Sequence, residues 1–433
     1  MKVLPRNKDT FLQTVLQVLP TDYQEQAYEQ GAFTRSRKLS SPEQLFELVM
    51  SYCCLDYSLR TCAGHLALKK TALTDTAVMK RLLPCLPWLK SLLSSILSKQ
   101  LANYHINSPY RFLAIDGSTI QVKGARSTGY RLHLAMDLIT LSQTHIKITD
   151  AHQGENLSHY DLKANDVVLL DRGDNQPKTL MPFIEKGGHV VLRYHAKGMT
   201  LYHPQQNNDS LQRIDWLDEI NKIKGDSACK EVVLCYKDRT VKGYVHLSRL
   251  SKAHAEKAHR DLRRSAQRQQ YTASERAFIL ADWMFVFTTL PPDILDTKTV
   301  MALYRTRWQI ELVFKRLKTL LSLTELRAKQ GSALAEIYLY GKLLYAVMLE
   351  YYLRQFVNVQ AYYLYQEKCD RLETPWRLWH LFHQQLIACL TVYLSPSDIP
   401  IDAMQKVMRE RKRKRQLQTI PSYLIRNPHK TTI

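Results

Sequence analysis

Two aspartates stand where apolar runs end. Asp116 follows Leu113-Ala114-Ile115 and precedes Gly117-Ser118-Thr119; Asp171 follows Val167-Val168-Leu169-Leu170 and precedes Arg172-Gly173. Both runs are predicted as strands, the second buried on both faces. Carboxylates at the carboxyl ends of neighbouring strands can converge in the crevice outside a sheet. Joined by a third carboxylate, they suit one or two Mg2+ ions. Hard divalent cations take oxygen ligands, and a metal pair about 3.5–4 Å apart stabilises both the attacking and the leaving oxygen of a phosphodiester. Taken singly, each Asp fits a turn cap equally well.

The third carboxylate comes from a predicted long helix, about Thr297 to Leu321. Tyr304, Arg307, Glu311 and Lys318 lie on it within a stripe about 60° wide and about 21 Å long. Leu303, Ile310, Val313, Phe314, Leu317, Leu320 and Leu321 gather on the face predicted to be buried. Trp308 and Lys315 border the stripe. A carboxylate is thus flanked by groups that hold phosphate: Arg307 as a fork, Lys318 as a point charge, Tyr304 as a hydroxyl donor. A solvated face with Glu311–Lys315 as an i,i+4 pair would give the same spacing.

Composition sets the class of partner. The chain has 433 residues and a formal net charge of +21, which favours a polyanion, nucleic acid first and an anionic membrane surface second. The membrane reading is weak. Leu82–Leu101 is broken by Pro84, Pro87 and Lys90, and Tyr340–Tyr352 by Lys342 and Glu350. Neither supplies the apolar span of about 20 residues that a transmembrane helix needs. No signal-peptide core is visible in Met1–Leu19. The eight cysteines form no C-x-x-C pair, and His189, His195, His203 and His254 lack metal-box spacing. A soluble cytoplasmic protein with reduced thiols is expected. No P-loop points to ATP-driven chemistry.

The positioning elements follow from periodicity. Residues from about 8 to 103 read as helical, with Ser41-Pro42 opening one helix. Strands are predicted at Arg111–Asp116, Tyr130–Thr140 and Thr144–Asp150 as an antiparallel meander, then at Val167–Asp171 and His189–His195 around a helix at Thr179–Lys186. Residues of about 196–296 read as a β-rich insertion, with strands at Cys229–Tyr236, Gly243–Leu250 and Trp283–Leu290 and a basic helical stretch at Ala253–Ala281. The fold class is α/β, a mixed sheet flanked by helices. The domains expected are a helical, DNA-binding 1–105, a catalytic 106–330, and a helical 331–433 with the basic tail Arg409–Arg415.

Tyr304-x2-Arg307-x3-Glu311-x6-Lys318 resembles the Y-R-E-K signature of bacterial insertion-sequence transposases, specifically the insertion sequence four family of DDE transposases. Asp116 and Asp171, in their strand contexts, resemble that family's first and second acids, and Glu311 its third. The resemblance covers about residues 110–350. It implies a ribonuclease-H-like core with a β-rich insertion and two Mg2+ ions on Asp116, Asp171 and Glu311, with Mn2+ as a substitute. It also implies cleavage at transposon ends in double-stranded DNA, strand transfer to target DNA, and a homodimer holding two ends. Tyr304, Arg307 and Lys318 would then contact DNA, with Trp308 and Lys315 beside them. Trp283 would stack on a flipped base, although a core aromatic fits its strand equally.

Family members often carry an aromatic residue where Asp174 stands here, so Asp174, Asp166, Asp161 and Asp137 rival Asp171. The same acids would serve a nuclease that hydrolyses without joining, and the same charge a DNA-binding relative without catalysis. The Arg409–Arg415 run and the basic helix at Ala253–Arg268 can each bind phosphate or simply face water.

Overall fold

The computed structural model describes residues 17–356, apart from 69–70, 72, 103–108, 122–127, 155, 175, 196–197, 205–210 and 327, and short pieces between 371 and 411. Its centre is a nine-stranded sheet: β1 (Arg111–Ile120), β2 (Tyr130–Asp137), β3 (Gln143–Asp150), β4 (Asp166–Leu170), β5 (His189–Arg193), β6 (Leu201–Tyr202), β7 (Ser227–Tyr236), β8 (Arg239–Arg249) and β9 (Trp283–Thr288). The strand order is β3-β2-β1-β4-β5-β9-β8-β7-β6. The first three strands form the expected antiparallel meander. β1, β4 and β5 run parallel, and β9 returns antiparallel to β5.

Alternation along β1 divides the interior into two layers. Phe112 and Ala114 join one apolar cluster, while Leu113 and Ile115 join the other. The second layer holds Leu180, Met181 and Phe183 of the Pro177–Glu185 helix, together with Trp216 and Ile220. The first holds the N-terminal helices and those that follow β9. Its helices begin where the sequence supplies caps. The Ser41 hydroxyl accepts from the Gln44 N–H at 3.5 Å with Pro42 in the first turn, and Thr74 accepts from Ala77 at 3.2 Å.

Three expectations need correction. Asp116 is not at the end of its strand, because the ladder with β2 carries β1 on through Gly117↔His133 to Ile120↔Tyr130. The β-rich stretch 196–296 joins the main sheet, where β9 pairs with both β5 and β8 and β6–β8 extend it. The basic stretch is two helices, Lys252–Arg268 and Glu275–Ala281, parted where Gln270 takes a φ of 54°. The long helix is also two, Thr297–Thr306 and Trp308–Thr319. Around the break, Arg307 N bonds Tyr304 O and Ile310 N bonds Arg307 O, both over three residues, while the Thr306 hydroxyl takes the Leu303 carbonyl at 2.6 Å. A single 3-10 turn results.

The N-terminal helices share one core with the sheet and with the Ala333–Phe356 helix. Lys342, almost wholly buried, pairs with Asp56 at 2.8 Å and donates to the Leu321 carbonyl at 2.5 Å. A Cβ built on Gly341 would lie 2.3 Å from Cys53 Sγ, so the two helices meet closer than any other residue allows. Arg409–Arg411 pairs with Arg371–Glu373 as a short strand; Lys412–Arg415 and most of the C-terminal region fall outside the described residues. No helix among the described residues is long and apolar enough to cross a membrane.

Candidate active site

Sheet register brings the two aspartates together. β1 pairs with β4 from Arg111↔Asp166 to Ala114↔Leu169, and the same register carried two residues further sets Asp116 beside Asp171. β4 pairs with β5 through Leu170↔Leu192, which likewise sets Arg193 beside Asp171. Glu311 arrives from the Trp308–Thr319 helix, in the layer that holds Phe112 and Ala114.

All three acids meet on one side chain. Arg307 Nη1 donates to Asp116 Oδ2 at 3.3 Å, Nη2 lies 3.8 Å from Asp171 Oδ2, and Nη2 also donates to Glu311 Oε1. The Tyr304 hydroxyl donates to Asp171 Oδ1 at 3.2 Å. The Gly117 N–H donates to Asp116 Oδ1 at 2.9 Å, and the Tyr160 hydroxyl donates to the Asp116 carbonyl at 3.2 Å. Arg307 is 10% exposed, Asp116 20%, Glu311 31% and Asp171 48%, so the cluster opens to solvent on the Asp171 side.

Electrostatics follows from one guanidinium serving three carboxylates. Burial raises the pKa of Glu311, and the neighbouring Asp171 charge adds to that, outweighing the Arg307 contact that lowers it. Burial and then Asp171 push the Tyr304 phenol well above its ordinary value, so it stays a donor. Arg307 loses solvation, yet Asp171, Tyr304, Asp116 and Glu311 together hold its proton more firmly than usual. Burial pulls the Lys318 ammonium down, while Asp116 pulls it back.

For a divalent cation the donor chemistry fits: the converging ligands are carboxylate oxygens from three elements. Their spacing is open, and among the described residues no three ligating side chains already form a cage. Arg307 stands at the centre that such a cage would enclose.

The rival acids are engaged elsewhere. Asp166 forms a forked pair with Arg111 at 2.7 and 2.6 Å and accepts from Lys163 N at 2.8 Å. Asp137 is buried and caps the β2–β3 turn through Ile139 N, Thr140 N and the Thr140 hydroxyl. Asp161 is exposed, and the Asp174 side chain lies outside those described. Trp283 does not join the cluster. It is buried in the second apolar layer, with the Arg249 guanidinium 5.9 Å from its ring centre. Trp308 and Lys315 are exposed, and Lys318 is half-buried. Sequence reasoning missed Arg193 and Tyr160. The one sign of Arg193 was a basic residue closing the apolar run of β5, and Tyr160 carried no signal.

A family model for the transposase DDE domain matches residues 107–347, more than half of the chain. The chain therefore belongs to the DDE transposase family. It is similar to the transposase InsL of insertion sequence element IS186A from Escherichia coli K12, with 28% identity over 346 residues, 76% of this chain and 90% of that relative. It is also 28% identical to the transposase for insertion sequence element IS421 from Escherichia coli, over the same shares of both chains. These matches bear out the insertion-sequence transposase expected from the Y-R-E-K spacing and the two strand-borne aspartates.

Proposed function

We propose that Asp116, Asp171 and Glu311 are the catalytic acids, and that the enzyme uses them to cut DNA at the ends of its element and join them to a target. The observation that carries this is the convergence of all three on Arg307 from β1, the loop after β4 and the signature helix. The order β3-β2-β1-β4-β5, with β1, β4 and β5 parallel, supports a ribonuclease-H-like core.

The three carboxylates would hold Mg2+, as two ions with Mn2+ as a substitute; bound there, divalent metal supplies charge stabilisation to the attacking and leaving oxygens. The chain's own residues do the rest. Arg307, released from the acids, reaches a phosphate oxygen as a fork. Tyr304, held protonated, orients Asp171. Lys318 adds positive charge beside Asp116. The reacting partner is double-stranded DNA carrying terminal repeats, and a homodimer would hold two ends. The domain reading is helical 1–105, catalytic 106–330 and C-terminal 331–433, with the reaction in the bacterial cytoplasm.

Cleavage of a plasmid carrying the element's ends tests the assignment. Glu311→Ala should abolish metal-dependent cutting while leaving binding to the ends largely intact. Cutting at the wild-type rate would refute it. Strand-transfer products from a labelled end separate joining from simple hydrolysis.

A further inference from the structure

The Lys252–Arg268 helix carries six basic residues against two acids and takes no part in the acid cluster. One side is seated. Ala266 is buried; Ala255, Ala258, His259, Leu262 and Ser265 are half-buried. His259 Nε2 lies 2.8 Å from Asp282 Oδ1 and 3.1 Å from the Phe278 carbonyl, and the Arg263 guanidinium lies 5.3 Å from the Phe278 ring centre. The helix is therefore held at a fixed angle on its neighbour.

The opposite side is open. Lys257, Arg260, Arg264 and Arg268 are all exposed, and none has an ion-pair partner among the described residues. At 100° per residue they fall within about 80° of arc and span about 16 Å along the axis.

Sheet register fixes the end of the sheet from which this helix departs. Asp116, Asp171 and Arg193 stand level on β1, β4 and β5, and Arg193 pairs with Val286 of β9, which pairs with His246 of β8. From there β8 runs to Arg249↔Trp283, toward the same end of the sheet, and Ser251 opens the helix two residues later. The basic helix thus leaves the sheet at the edge where the carboxylates sit. Four strand intervals separate β1 from β8, about 19 Å at the usual spacing, on the scale of a duplex width.

We infer that the face formed by Lys257, Arg260, Arg264 and Arg268 binds the phosphate backbone of the DNA duplex held at the carboxylates, without regard to sequence. The inference rests on the proposed action on DNA. Four exposed cations on a helix seated beyond the end of the sheet that carries the acids match a surface with one negative charge per about 1.7 Å.

The test uses the full chain with all four residues changed to Gln, and binding to a random-sequence duplex followed by anisotropy over a salt series. Each lost phosphate contact removes about 0.9 from the slope of log K against log salt. The quadruple variant should lose about 3.6 in slope and at least tenfold in affinity at low salt, with an unchanged circular dichroism spectrum. Lys186→Gln with Lys237→Gln, exposed at the opposite end of the sheet, should leave the slope nearly intact. An unchanged slope in the quadruple variant, beside a steep wild-type slope, would overturn the inference and leave the DNA reading standing. A wild type with no salt-dependent duplex binding would overturn both. Loss of binding only to phosphatidylserine vesicles, with the DNA slope intact, would make the face a membrane contact and overturn the inference.

Discussion

Replacing Arg307 with Met removes the one guanidinium that three carboxylates share. Breaking a buried charge cluster by deleting one sign typically costs about 3–5 kcal/mol. Here Asp171 is 48% and Glu311 31% exposed, so water relieves part of the repulsion. About 2–3 kcal/mol is the expected loss without metal, between the buried-pair and surface-pair limits. Unfolding entropy of about 2.1 cal/mol/K per residue gives about 0.9 kcal/mol/K for a chain of this length, so Tm should fall by about 2–3 °C. The direction in metal is opposite. With no competing cation among the acids, Arg307→Met should bind Mg2+ more tightly and gain more Tm from it than wild type does. Calorimetric scans with chelator and with millimolar Mg2+ read both effects. An unchanged Tm in chelator, or equal Mg2+ shifts in the two proteins, would refute the view that Arg307 stands in for the metal charge.

Two further outcomes follow from neighbouring geometry. Burial and Asp171 raise the pKa of Glu311, so ionising it costs the fold; its stabilising contribution is complete below the ordinary glutamate value and is lost as pH rises through the raised one. Glu311→Gln should therefore be more stable than wild type at neutral pH in chelator, with the difference vanishing in acid, as urea midpoints across pH would show. Gly341→Ala should cost about 1–3 kcal/mol by overpacking against Cys53, and Cys53→Ala should recover most of that loss in the double variant, a non-additivity that urea melts resolve.

What the sequence revealed depended on the range of the interaction. Asp171 was legible because the run Val167–Leu170 before it is apolar throughout, and the Tyr304–Lys318 stripe because helical period is local. The end of β1 was misplaced at Asp116 because the extra residues are held by β2, a partner the β1 segment cannot announce. The break at Arg307 carried no Gly or Pro; it comes from the Thr306 hydroxyl and three-residue hydrogen bonds. Arg193 reaches the site only through register with β4. Within the stripe Tyr304 and Arg307 are turned inward, since the two aspartates gathered by the sheet, with Glu311 one helical turn on, attract the guanidinium more than solvent does. That the 196–296 strands join the main sheet is a tertiary matter, set by β9 lying between β5 and β8.

The Lys342–Asp56 pair and the Gly341–Cys53 contact bear on how such a gene can decay. A copy that lost its first hundred codons would strip Leu45, Val49, Trp88 and Leu92 from the core that also seats Ile310 and Phe314. Its product would expose that apolar surface, so the signature helix depends for its packing on the amino-terminal hundred residues.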